Sequence, residues 1–237
     1  MICSGEKLMS YATLEHARAI TADIVRAIDP VLVLMFGAVA RGGKGNDLDL
    51  LIVTDEADGI DSSRMESQLD SLLKTYMKEI SVDRFILGVR KFRDHFRSGS
   101  PFLNVIVREG RVLYMKNAEN EWVNDAADEL KTAEFLHGGG YYKAACYHAQ
   151  QVVEKYLKAR LLGRGWELEK VHSIARLCAL AADHGIVVPL VDADVSFIDS
   201  IYRGRYPGEF GLIPLGEPSL EDSKRALEIA RRLFLRE

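Results

Sequence analysis

The hydrophobic pattern of this chain changes period near residue 118, and no single repeating architecture accommodates both periods. Before that point helical and strand patterns alternate. Leu14, Ala17, Ile20, Ile24 and Ile28 recur on one helix face, and Pro30 closes that helix before "VLVLMF", a short apolar run that reads as a buried strand. A second strand, "LDLLIV" from Leu48, a helix from about Arg64 to Lys78 and a third strand, "SVDRFIL", follow. "FLNVIV" and "RVLYM", joined by Arg108-Glu109-Gly110-Arg111, predict a hairpin. After "KNAENE" the period is helical only. Tyr141, Ala145, His148, Val152 and Tyr156 form one face, and similar stripes span 171–183, 191–203 and 219–235, with Pro189, Pro207, Pro214 and Pro218 between them. The expectation is an α+β, two-domain protein: residues 1–118 around one sheet, and residues 119–237 as an all-α bundle.

The 237 residues, 48% of them hydrophobic, suffice for two cores. A formal charge of −4 argues against broad capture of nucleic acid or an anionic membrane, which leaves only local basic grooves for a polyanion. Cys3, Cys146 and Cys178 are scattered and lack metal-ligand spacing, so they read as reduced thiols. The N-terminus has no signal pattern, and no apolar run approaches the ~20 residues of a membrane helix. These features predict a soluble cytoplasmic protein with no membrane partner.

The chemistry concentrates in "FGAVARGGKGNDLDLLIV", residues 36 to 53, which reads as strand, glycine-rich loop and strand. Side chains two residues apart leave a strand on the same face, about 6.5 Å apart, so Asp47 and Asp49 converge on one cation-sized space. Two like charges among Leu48, Leu50 and Leu51 need a cation or a basic partner, and Mg²⁺ is the usual one. Gly37, Gly42, Gly43 and Gly45 would let backbone N–H groups approach a phosphate, with Arg41 as a charged fork. A solvated strand end, with Arg41 paired to Asp47, is the alternative reading of the same residues.

Gly37-Ala38, Ala40-Arg41-Gly42 and Asp47-Leu48-Asp49 resemble the GS…ARG…DxD signature of minimal nucleotidyltransferases of the DNA polymerase β type, over about residues 10 to 116. The resemblance implies a mixed sheet flanked by helices, with Asp83 of "SVDRF" as a third carboxylate. It also implies two Mg²⁺ ions on Asp47, Asp49 and Asp83, a nucleoside triphosphate on Gly37, Ala38, Arg41 and Gly42, and transfer of a nucleoside monophosphate to an acceptor. Asp83 is the candidate to help deprotonate the acceptor hydroxyl. Ala38 stands where the family has serine, and the loop before Asp47 is a residue or two short. One charge-assisted hydrogen bond is worth roughly 1.5 to 3 kcal/mol, so the change weakens activity without excluding it.

"GGGYYKAACYHAQQVVEKYLKARLL", "VHSI" and "IYRGRYPG", in that order, resemble the HEPN domain, a helical bundle often encoded beside or fused to such nucleotidyltransferases. The resemblance implies a homodimer. Many HEPN domains are ribonucleases that carry an arginine and a histidine four to six residues apart. The bundle has no such pair, and Arg90 and His95, which have the spacing, lie in the first domain as surface residues. Lys155, Lys158, His172, Arg203, Arg205 and Tyr206 could instead form a nucleotide pocket. Alternatively, Lys155 and Lys158 are a solvated helix face, His148 is a core histidine, and Gln150 and Gln151 belong to a dimer seam. The leading expectation is Mg²⁺-dependent nucleotidyl transfer from a nucleoside triphosphate to a small molecule, a protein hydroxyl or an RNA end. The second is a catalytically silent nucleotide-binding regulator in a toxin–antitoxin or stress setting, and neither is an RNase.

Overall fold

The computed structural model describes residues 10–55, 60–203 and 217–235, and they divide into two compact units, Met1–Lys116 and Asn117–Glu237. In the first unit β1 (Ala12–Thr13) runs into α1 (Leu14–Ile28), whose start is fixed by a capping box: Thr13 Oγ1 accepts from the His16 N–H, while the His16 ring accepts from the Thr13 N–H. Asp29 in the left-handed region and Pro30 end the helix. The chain continues through β2 (Leu32–Phe36), α2 (Gly37–Gly42), β3 (Lys44–Gly45), β4 (Asp47–Thr54), α3 (Ile60–Tyr76), β5 (Ser81–Gly88), α4 (Val89–Arg97), α5 (Pro101–Glu109) and β6 (Arg111–Met115).

Four of these strands form one mixed sheet in the order β5-β4-β2-β6. Strand β4 pairs antiparallel with β2 and parallel with β5, and β2 pairs antiparallel with β6. Both faces of its centre are covered, so β2 and β4 are near-continuous apolar runs. Val33, Met35, Leu48, Leu50 and Ile52 pack with Ile20 and Ile24 of α1 and with Leu69 and Leu73 of α3. Leu34, Leu51 and Val53 face the other way, against Leu103 and Ile106 of α5 and the partly buried Val89 and Phe92 of α4.

Two local expectations are corrected. "FLNVIV" is not a strand of a hairpin but most of helix α5, entered by Pro101 in the first turn, where the missing N–H costs nothing. Its buried residues, Leu103 and Ile106, are three apart, and that spacing against the sheet outweighs the strand preference of its β-branched residues. Strand β6 pairs with β2 instead. Likewise, the glycine-rich stretch after Phe36 is no open loop but the six-residue helix α2.

The second unit is all helical among the described residues: α6 (Ala118–Gly138), α7 (Tyr142–Leu162), α8 (Ile174–Asp183), α9 (Asp192–Arg203) and α10 (Leu220–Phe234). Helix α7 is central and packs against the other four. It buries Ala145, Ala149, Val152, Val153 and Leu157 at helical spacing, whereas Tyr141 lies before its first turn and is exposed. No described helix is long and apolar enough to cross a membrane.

Candidate metal centre

Alternation along β4 sends Asp47 and Asp49 to the same sheet face as Leu51 and Val53. Across the parallel ladder Asp49 stands opposite Asp83, and across the antiparallel one it stands opposite Phe36. The structure thus brings together the three aspartates that lie up to 36 residues apart in sequence: one carboxylate oxygen from each falls within 4.8 Å of the others. Asp47 and Asp49 are partly buried, and Asp83 is exposed.

The backbone makes room for this cluster. Gly37 follows β2 with φ of +72°, and a Cβ there would stand 1.9 Å from Asp49 Oδ2, so only glycine permits this approach. Gly45 has a packing role, since a Cβ would meet the Ala38 Cβ at 2.9 Å, while a Cβ at Gly42 would point into open space. Arg41, in the last turn of α2, pairs with Glu109 at 3.2 Å rather than with Asp47. Burial first, then the charges of Asp47 and Asp83, pushes the Asp49 carboxyl above its ordinary pKa, and Arg41 opposes this only in part. Negative charge therefore outweighs the positive charge that Arg41 brings to the cluster. Three carboxylates without sulfur or imidazole are a donor set suited to a hard divalent cation.

In the bundle, the polar residues of α7 meet other partners than those expected of a nucleotide pocket or a solvated face. Glu154 and Lys158, 3% and 4% exposed, form a buried ion pair at 2.8 Å. Glu154 also accepts from Gln150, from Gln151 and from the half-exposed His172 ring, whose Nδ1 lies 3.0 Å away, and Lys158 sits over the Trp122 ring. Burial works to raise the Glu154 pKa, but the hydrogen bonds and charge of Lys158, with Gln150 and His172, outweigh it and hold the carboxyl below its ordinary value. Lys155 bridges Asp125 and Glu129, and His148 bonds Glu129. Neither lysine is a solvated cation awaiting a phosphate. Arg205 and Tyr206 lie outside the described residues, as does the side chain of Arg203.

Two features of the structure have no counterpart among the sequence expectations: the Phe36, Phe85 and Phe102 cluster and the buried Glu154. Alternation with Asp83 could have placed Phe85 beside the acids, and the Gln150, Glu154, Lys158 spacing of four could have exposed the polar ridge.

Residues 119–236 match the family model of the HEPN domain, and this second unit is a HEPN domain. Two solved structures are similar to it. One is ST0689, an archaeal HEPN homologue, at 22% identity over 49% of this chain and 92% of that one, with a TM-score of 0.38. The other is TT1696 from Thermus thermophilus, at 26% identity over 51% and 95%, with a TM-score of 0.40. No curated protein matches the chain.

Proposed function

We propose that the first unit is a minimal nucleotidyltransferase that moves a nucleoside monophosphate from a nucleoside triphosphate to an acceptor hydroxyl, and that the HEPN bundle is a dimerising, non-ribonucleolytic partner domain. The observation that carries this reading is the convergence of Asp47, Asp49 and Asp83 within 4.8 Å on one sheet face, with Gly37 held open against Asp49. Asp47, Asp49 and Asp83 would hold two Mg²⁺ ions, which when bound supply charge neutralisation for the attacking and leaving oxygens. In the transfer, the acceptor oxygen bonds to the α-phosphorus, the bond from that phosphorus to the pyrophosphate oxygen breaks, and pyrophosphate departs. The hydroxyl proton passes to Asp83, the most exposed of the three, and from there to water. Arg41 lies close enough to Asp49 to lower its pKa, and so offers a cation to the triphosphate once it exchanges Glu109 for a phosphate oxygen.

A second reading, a silent nucleotide-binding regulator, is favoured by Ala38 and by the engagement of Arg41 with Glu109. Incubation of the full chain with each labelled triphosphate and Mg²⁺ separates the two. Pyrophosphate release that Asp49→Asn abolishes supports transfer, while saturable binding without release supports the regulator. RNA cleavage by the full chain in EDTA would overturn the non-nuclease assignment of the bundle.

A further inference from the structure

The sheet face that carries the aspartates also carries an exposed aromatic cluster. Phe85 follows Asp83 by two residues on β5, hence on the same face and about 6.6 Å further along. Its ring lies 5.8 Å from Phe36 and 5.1 Å from Phe102 of α5. Phe85 and Phe102 are 43% and 44% exposed, an unusual state for two neighbouring phenylalanines on a protein surface.

Helix α4 packs on this same face through Val89 and Phe92 and turns Arg90, Lys91, Arg93, His95, Phe96 and Arg97 to solvent, with Asp94 as its one acid. Lys91, Arg93 and Arg97 make no ion pair among the described residues. Phe96, 47% exposed, lies on the helix between Arg93 and Arg97 and stacks on Phe92. In a chain of net charge −4, three cations without an ion pair among the described residues, on a helix that also exposes Phe96 and packs on the sheet face of the carboxylates, are a concentrated feature.

We propose that this surface, formed by α4, Phe85 and Phe102, binds single-stranded RNA and presents its terminal hydroxyl to the aspartate cluster, so that the acceptor of the reaction proposed above is an RNA end; this rests on that reading of the cluster. The charge pattern recognises phosphates, and the rings recognise the π-faces of unpaired bases. Duplexes hide those faces, and unpaired polynucleotide in a cell is chiefly RNA. An anionic membrane would also attract a basic helix, but a helix lying on a membrane buries its apolar face there, and Val89 and Phe92 of α4 are already turned to the sheet.

The test is fluorescence anisotropy of a short labelled single-stranded RNA with the full chain in EDTA. The expected result is salt-sensitive binding, with the same sequence as a duplex bound roughly tenfold more weakly. The double variant Arg93→Glu/Arg97→Glu should weaken binding at least about tenfold and reduce the salt slope by about 1.4, or about 0.7 per lost phosphate contact. Phe85→Ala/Phe102→Ala should weaken it by a similar factor with little change in slope. All these side chains are exposed, and circular dichroism checks that the fold persists. Asp49→Asn should retain RNA binding while losing pyrophosphate release, so the RNA surface and the transfer reaction fail independently. Absence of RNA binding, equal duplex binding, indifference to both double variants, or α4-dependent binding to phosphatidylserine vesicles in place of RNA would each overturn the proposal.

Discussion

Replacing Asp49 with asparagine keeps its shape beside Gly37 and removes one of three crowded charges. Unit charges 4.8 Å apart repel by about 1 kcal/mol at the dielectric constant of water and by about 3.5 kcal/mol at an effective value of about 20. Asp49 faces two such partners and is partly buried, while Asp83 is exposed, so screening places the relief toward the lower end. A net gain of about 1 to 3 kcal/mol in local stability is expected for Asp49→Asn in EDTA at neutral pH. The sign follows from the raised Asp49 pKa. A carboxyl that binds its proton more tightly when folded contributes stability below its unfolded pKa of 3.8 and loses it as pH rises through the folded value, so the charged form is a cost at neutral pH. Mg²⁺ should reverse the order: it stabilises the natural protein by mass action and leaves the variant nearly unchanged. Because the chain has two units, hydrogen exchange of peptides from β4 is the better readout than a global melt. Lower protection of the variant in EDTA, or equal protection of both proteins by Mg²⁺, would refute the metal centre.

Gly37→Ala would force a Cβ onto Asp49 at a positive φ, so Mg²⁺ protection of β4 should vanish and local stability should fall by at least about 1 kcal/mol, read by the same exchange measurement. In the bundle, Lys158→Met leaves Glu154 buried without its cation and should cost about 3 to 5 kcal/mol in urea unfolding, whereas adding Glu154→Gln should recover much of the loss. Because the Glu154 pKa is lowered, the stability it contributes is present above the unfolded value of 4.5 and is lost as pH falls through the folded one; an acid titration of the Glu154→Gln variant should lack that loss. Burial pushes the Cys146 and Cys178 thiols up to about 11, so both should resist iodoacetamide at pH 8 until the protein is unfolded, as peptide mapping would show.

The sequence by itself determined what depends on near neighbours. The strand at 32–36 and the helix at 14–28 follow from short apolar periods and from local stops such as Asp29-Pro30, and the pairing of Asp47 with Asp49 on one face follows from the two-residue repeat of a strand. The all-α bundle was legible because a purely helical period leaves few other ways to bury apolar stripes, and its HEPN family because the stretches at 138–162, 171–174 and 201–208 resemble that family. Tertiary structure decided what depends on which element lies against which. That Asp83 stands opposite Asp49 is a matter of parallel register between strands separated by helix α3, and a one-residue slip would have turned it to the other face. Residues 101–109 became a helix because the open sheet face accepted Leu103 and Ile106 at a spacing of three, a choice that β-branched composition alone pointed away from. Lys158 reads as a surface lysine in any helical projection until Glu154, Trp122 and His172 close around it, because burial belongs to the packed bundle and not to the residue.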